Sequence, residues 1–110
     1  MDGFGVGVGV KMGKNITQPA VYIMASQRNG TLCTGVAGRL AVRVGEHRAG
    51  KGGGFAAKYG CTILVWYEVC PTMEVAIARE KQIKGGSRAK KLRLIETANS
   101  GWRDLFFEIV

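Results

Sequence analysis

The sequence lacks any apolar run approaching the ~18 residues that a membrane-spanning helix requires. It also lacks a basic N-terminal stretch and a cleavage signature, since Asp2 is the first charged residue. No internal repeat is visible. These absences argue against a membrane segment and a secretory leader, and they predict a cytoplasmic protein without a membrane partner.

The chain has only three cysteines, an odd number. Cys33, Cys61 and Cys70 form no Cys-x-x-Cys pair and no Cys/His cluster. Neither a disulfide framework nor a zinc site is therefore indicated, and each cysteine is expected to act as a small buried side chain. This use of cysteine favours a reducing compartment.

Acidic residues are few, with 8 Asp and Glu against 16 Lys and Arg and a formal net charge of +8. A surplus of this size favours polyanionic partners, because Lys and Arg neutralise phosphates and release their counterions. Nucleic acid is the first candidate. A merely soluble basic surface is the alternative, and net charge alone does not choose between the two.

The length of 110 residues, with 46% apolar residues, fits a single domain with one modest core. Residues 1–18 are expected to be a flexible tail, because Gly alternates with apolar residues from Gly3 to Val10 and leaves nothing bulky to pack. Met12 could be the true start, which would leave the first eleven residues without a role. The folded domain is predicted over residues 19–110.

A β-hairpin is predicted at the start of this domain. Asn29-Gly30 is a strong hairpin turn, and it separates two β-type runs, at 21–26 and 31–36. A two-residue turn there pairs Ser26 with Cys33. Because side chains alternate between faces, this register places Tyr22 and Cys33 on the same face of the hairpin.

Three helices follow from apolar spacing and from Thr72 and Ser87 as N-caps, at 40–48, 72–84 and 88–98. The first places Arg43 and His47 at i and i+4, on neighbouring positions of one side. Residues 61–69 are nearly continuous in β-branched and aromatic side chains, which favours a central strand covered on both faces. The aromatic C-terminal segment is expected to fold back over the core.

Glu80 stands out within the second helix. It completes an apolar stripe whose other members are Met73, Ala76, Ile77 and Ile83. A carboxylate facing a core is costly unless it is paired or ligates a cation. This position therefore predicts a partner for Glu80.

Two short motifs lie on the predicted hairpin. Val21-Tyr22-Ile23 is followed, eleven residues after Tyr22, by Cys33-Thr34-Gly35. The order of this hairpin, a helix with Arg and His, a strand and a helix with Glu resembles the small bacterial members of the GIY-YIG nuclease family. The segment from Ala78 to Lys91 is especially similar to the family's closing signature, and the resemblance extends from residue 21 to about residue 105.

The resemblance implies a set of catalytic residues. In the family, two tyrosines lie near the attacking water, an arginine stabilises the scissile phosphate, and a glutamate holds one divalent ion, usually magnesium. The residues at the matching positions are Tyr22, Cys33, Arg43, His47 and Glu80, with Glu80 as the ligand of Mg²⁺ or another divalent cation. Cys33 replaces the second tyrosine and has no phenol, which implies weakened catalysis.

Basic residues are expected to contact the nucleic acid. The candidates are Lys58, Arg79, Lys84, Arg88, Lys90 and Lys91. Their alternative role is a solvated charged face. The candidate catalytic residues have plain alternatives as well: Tyr22 as a half-buried strand aromatic, Arg43 and His47 as helix-surface residues, and Cys33 as a packing residue.

The predicted fold is therefore α+β, with a small, mainly antiparallel three-stranded sheet flanked by helices. The predicted function is metal-dependent hydrolysis of phosphodiester bonds in DNA. Two alternatives are a non-catalytic nucleic-acid-binding module that keeps the fold and the basic face, and an inactive copy of the family.

Overall fold

The computed structural model describes residues 16–51 and 54–110. The elements in chain order are β1 Ala20–Ala25, β2 Leu32–Ala37, α1 Leu40–Arg48, α2 Gly54–Lys58, β3 Ile63–Val69, α3 Met73–Lys84, α4 Arg88–Ala98 and α5 Phe106–Ile109. Most of the expected flexible tail, residues 1–18, lies outside the described residues. Ile16 is described, and it packs against the core.

The three strands form one sheet in the order β2-β1-β3, with both pairings antiparallel. The predicted α+β fold is confirmed. The prediction that residues 61–69 form the central strand is wrong, because β1 lies in the centre and β3 at an edge. The first half of β3 is covered by packing, whereas Glu68 and Val69 are exposed, so its apolar sequence reflects cover from helices and not a central place in the sheet.

The hairpin is confirmed, but its register differs from the predicted one. The Ser26 amide donates to the Thr31 carbonyl at 3.0 Å, which leaves residues 27–30 as a four-residue loop. Met24 consequently lies opposite Cys33, where the two-residue turn would have placed Ser26. A shift of two residues preserves the alternation of faces, so Tyr22 and Cys33 still share one side of the sheet.

The helices pack on both sides of this sheet. α1 and α5 bury Leu40, Val44 and Ile109 against the face that carries Tyr22 and Met24. α3 and α4 bury Ala76, Ile83 and Ile95 against the opposite face. The three predicted helices are confirmed, with Thr72 and Ser87 accepting the expected capping bonds, whereas α2 was not predicted because its segment is rich in glycine.

The C-terminal segment returns to the core as predicted. Trp102, Leu105 and Ile109 are buried, and only part of the aromatic run remains at the surface, with Phe107 67% exposed. Within the described part of the chain, no helix is both long enough and apolar enough to cross a membrane.

Cys33 and Cys61 form a disulfide that joins β2 to the residue two positions before β3. The prediction that no disulfide forms is therefore wrong for this pair, since the fold brings together two cysteines that are 28 residues apart in sequence. Cys70 is free and buried, as expected of a packing residue. The cysteines no longer indicate a reducing compartment.

Removal of the disulfide should destabilise the protein through the unfolded state. Closing a loop between residues 28 apart should be worth about 3–4 kcal/mol of unfolding free energy by chain entropy. We expect the Cys33→Ala, Cys61→Ala double variant to lose about this amount in urea denaturation followed by tryptophan fluorescence. With reductant, the urea midpoint of wild type should approach that of the double variant. A wild-type midpoint that reductant does not change, together with three thiols that can be alkylated without reductant, would contradict the disulfide.

Candidate active site

A cavity of about 560 Å³ opens at the outer edge of β2, where elements from both faces of the sheet meet. α1 supplies Arg43 and His47 from one face, and α3 supplies Glu80 from the other. Tyr22 and Cys33 come from the sheet itself. The fold thus brings together all five residues that the sequence nominated as catalytic.

Tyr22 reaches this edge by lying over the neighbouring strand. It is paired with Gly35 across the β1–β2 ladder, and a Cβ atom at Gly35 would lie 2.5 Å from the Tyr22 hydroxyl oxygen and 2.6 Å from its Cζ. No side chain fits in that space. Glycine at position 35 therefore permits the ring to cross β2 towards α1.

The Tyr22 hydroxyl meets His47 at the end of this path. The distance from Tyr22 Oη to His47 Nε2 is 3.0 Å, and both side chains are almost fully buried. His47 Nδ1 is buried and has no hydrogen-bond partner among the described residues. A neutral ring that accepts from the Tyr22 hydroxyl at Nε2 carries its hydrogen on Nδ1, whereas a ring with its hydrogen on Nε2 donates to the hydroxyl.

The electrostatics of the pair favour a neutral histidine. Burial raises the pKa of the Tyr22 phenol above its usual value, and the nearby Arg43 guanidinium offsets part of the increase. Burial lowers the pKa of His47 below 6.5, and the charge of Arg43 lowers it further while Glu46 opposes the change. Near neutral pH both groups are therefore uncharged, and the hydroxyl can donate to the ring nitrogen.

Arg43 lies at the mouth of the cavity, with 40% of its side chain exposed. Its Nη1 donates to Glu46 Oε1 at 3.1 Å, one helical turn along α1. Exposed pairs of this kind are weak, so an incoming anion can compete with Glu46 for the guanidinium. Sequence reasoning missed Glu46, although its i, i+3 spacing from Arg43 was a signal.

Glu80 has the partner that its stripe position predicted. Its Oε2 lies 3.2 Å from Lys84 Nζ, and 16% of the Glu80 side chain is exposed. Ala76 and Ile83 beside it are buried, whereas Met73 and Ile77 are partly exposed. The stripe therefore faces the core only in part, and Glu80 is on the side that borders the cavity.

Cys33 lines the cavity through a side chain that is engaged in the disulfide. In that state it has no thiol proton to give and no thiolate to accept one. The partner residue, Cys61, was missed by sequence reasoning, since nothing in the spacing of the cysteines identifies a pair before the strands are placed.

The predicted nucleic-acid contacts divide into different environments. Lys84 and Lys91 line the cavity, whereas Lys58 lines neither this cavity nor its neighbour and lies near the Tyr59 ring. Arg79 is paired with Glu68 at 3.0 Å. Two further residues have other surroundings: Lys90 lies outside the cavity, and Arg88 donates to the carbonyls of Asn29 and Gly30 in the hairpin loop.

Comparison with known proteins identifies the domain. The family model described as the GIY-YIG catalytic domain matches residues 18–93. The chain belongs to the GIY-YIG family. It is also 36% identical over 76 residues to a UPF0213 protein of Staphylococcus haemolyticus, and 38% identical over 76 residues to one of Staphylococcus aureus, covering 69% of this chain and 92% of each relative. No solved structure matches significantly.

The GIY-YIG assignment confirms the resemblance seen in the sequence. The matched residues 18–93 include every side chain of the cavity described above, from Tyr22 to Lys91. They exclude the C-terminal segment that holds Leu105 and Ile109 in the core. The residues of the site therefore lie inside the family's domain, and the last part of the chain completes its core.

His47 is the only histidine of this GIY-YIG protein, so NMR can follow its titration without ambiguity. We expect a pKa below 6.5 in the folded protein. Arg43→Gln should raise the pKa of His47 towards 6.5 by removing a positive charge, and the matched Glu46→Gln variant should lower it further.

The titration of His47 should also make the free energy of unfolding depend on pH. The pKa of His47 is lower in the folded protein than in the unfolded chain, where it is about 6.5. The stability that the neutral His47 contributes is therefore complete above about pH 6.5 and is lost as the pH falls through the folded pKa. The urea midpoint of wild type should therefore decrease below about pH 6.5. A histidine that titrates above 6.5, or Arg43 and Glu46 variants that shift it in the same direction, would contradict the assignment.

Proposed function

We propose that this protein hydrolyses phosphodiester bonds in DNA by direct attack of water, with Mg²⁺ or another divalent cation. The observation that carries the proposal is the convergence of a buried tyrosine–histidine pair, an accessible arginine and a carboxylate on one cavity. Its membership of a nuclease family supports the same reaction class. The strongly basic chain suits a polyanionic substrate.

Tyr22 and His47 would handle the proton of the attacking water. When the phenol donates to His47 Nε2, which requires the tautomer with its hydrogen on Nδ1, the phenol oxygen keeps a lone pair for a water in the cavity. As the water loses a proton to Tyr22, the phenol passes its own to the neutral imidazole. The raised pKa of Tyr22 opposes a standing phenolate, so the relay to His47 is what makes the phenol basic enough.

Arg43 would bind the scissile phosphate. Its guanidinium is exposed at the cavity mouth and matches two phosphate oxygens in a bidentate arrangement. Charge that develops on these oxygens in the transition state would strengthen the interaction. The exchange of Glu46 for phosphate replaces one anion with another and leaves Arg43 paired throughout.

Glu80 is the residue that would hold the divalent cation. Among the described residues no group of three metal-ligating side chains exists, so a closed protein site is not available. Mg²⁺ suits such a position, because it commonly uses one or two carboxylates and completes its shell with water and substrate phosphate. When bound, the cation supplies charge that stabilises the phosphoryl oxygens.

A non-catalytic nucleic-acid-binding module is the second candidate. The environment of Cys33 favours it, because the family's second tyrosine is absent and the residue in its place is held in a disulfide. The third candidate is an inactive family copy, which would retain no activity. These functions differ in what the same purified protein does to DNA.

Cleavage should depend on Glu80. Branched, nicked and single-stranded DNA with Mg²⁺ are incubated with wild type, with and without reductant, because only the reduced protein has a Cys33 thiol. Glu80→Gln should lower the rate by about a hundredfold or more, since it removes the proposed metal ligand. Tyr22→Phe should lower it by at least about a hundredfold through loss of the proton relay.

Glu74→Gln is the matched control, because Glu74 is an exposed carboxylate on the same helix and lines neither cavity. It should cleave like wild type. Equal rates for Glu80→Gln and wild type would refute the proposed enzyme. Cleavage only by Cys33→Tyr would identify an inactivated scaffold, and salt-sensitive binding without cleavage by any variant would identify the module.

Lys84 should compete with the cation for Glu80. Lys84→Met removes an ammonium 3.2 Å from the Glu80 carboxylate, and we expect divalent-cation affinity to rise about threefold for such an exposed pair. Mn²⁺ binding without DNA, followed by electron paramagnetic resonance, measures the change. Lys81→Met alters net charge equally and should leave the affinity close to wild type; an equal rise in both variants would assign the effect to net charge.

A further inference from the structure

A second cavity lies between α3 and α4 on the face of the sheet opposite Tyr22. This α3–α4 groove has a volume of about 590 Å³. Trp66 of β3 contributes to its floor together with Ile83 and Leu94. Trp66 is only 7% exposed, so it presents part of its ring from below and does not project into the groove.

Cations surround this apolar floor. Lys90, Lys91 and Arg93 of α4 line the groove, and within residues 16–51 and 54–110 none of the three makes an ion pair. Arg79 lines the opposite wall, held by Glu68 at 3.0 Å with its guanidinium carbon 6.0 Å from the Trp66 ring centroid. The groove therefore combines apolar surface with unneutralised positive charge.

The groove adjoins the candidate active site at Lys91. Lys91 lines both cavities, and Lys84 lies on the active-site side at the end of α3. A chain of phosphates that leaves Arg43 and passes Lys84 would meet Lys91 and then the cations of the groove. A polyanion bound in the active site thus has a path of positive charge into the α3–α4 groove.

We propose that the α3–α4 groove binds an unpaired single strand of nucleic acid that continues from the active site. The phosphates would contact Lys90, Lys91 and Arg93, and a base would rest on the apolar floor. Aromatic and apolar surface beside a basic track is the pattern by which proteins hold single strands without reading their sequence. The proposal rests on the proposed function for the direction of the strand.

The size of the groove selects this form of substrate. A cavity of about 590 Å³ is in the range that holds a small ligand, and a base with its sugar is a ligand of that kind. Bases in a duplex are stacked and paired, so their faces cannot reach an apolar floor. An acidic peptide could satisfy the lysines but has no flat ring to cover the floor.

The test is equilibrium binding of a fluorescein-labelled thymidylate oligonucleotide of about 12 residues, followed by anisotropy in EDTA. EDTA removes divalent cations, so the result is independent of cleavage. Arg93→Glu and Lys90→Glu should each weaken single-strand binding by about tenfold while a blunt duplex of equal phosphate number is affected less than threefold. Both residues are exposed, and circular dichroism confirms that the variants fold.

Lys81→Glu is the matched control, since it makes the same change in net charge on α3 and lines neither cavity. It should weaken single-strand binding less than threefold by the general electrostatic effect. The Trp66 indole N–H resonance should shift when the thymidylate oligonucleotide is added to wild type and should not shift with oligoglutamate of equal charge.

Equal losses in Arg93→Glu and Lys81→Glu would overturn the proposal, as would displacement of the oligonucleotide by oligoglutamate at the same charge concentration. Failure of the proposed nuclease is a separate result. If the protein cleaves nothing but loses single-strand affinity in Arg93→Glu and not in Lys81→Glu, the groove proposal stands and the nuclease proposal fails. If cleavage depends on Glu80 but Arg93→Glu has no selective effect on single-strand binding, the nuclease proposal stands and the groove proposal fails.

Discussion

The passage of the Tyr22 ring across Gly35 is the constraint on which the site depends. β1 is the central strand and all six of its residues are buried, so a side chain on it cannot normally reach an outer edge. The missing Cβ of Gly35 opens a path over β2, at the cost of a glycine within a strand. Because of this path, a residue of the sheet centre shares a cavity with α1 and α3.

The fold could be predicted from the sequence where local patterns and faces decide it. Thr72 and Ser87 cap their helices as expected, and the hairpin loop lies where Asn29-Gly30 indicated. The register was two residues off, yet the shared face of Tyr22 and Cys33 did not change, because face depends only on whether the shift is odd or even. Conclusions about faces are therefore more robust than conclusions about pairing.

Partners across the fold could not be predicted in the same way. The Cys33–Cys61 disulfide and the contact of Arg88 with the hairpin loop depend on how distant elements pack, and no local spacing encodes that packing. The prediction that β3 is the central strand was wrong for a related reason. A strand that is apolar on both faces is one that helices and the C-terminal segment cover on both sides. Such cover is possible at the edge of a sheet as well as at its centre.

The charged groups of the site are held by partners that a ligand can replace. Arg43 is paired with Glu46 three residues along α1, and Glu80 with Lys84 four residues along α3. Such pairs within one helix are weak, but they keep both functional groups extended towards the cavity before any ligand arrives.

In the proposed reaction the two exchanges reinforce each other. A phosphate that binds Arg43 releases Glu46, and a cation that binds Glu80 releases Lys84. The freed Lys84 ammonium borders the same cavity as the bound phosphate, so it gains an anionic partner as it loses one. Each binding event therefore lowers the cost of the other, because Lys84 exchanges one anionic partner for another while Glu46, 47% exposed, is released into solvent.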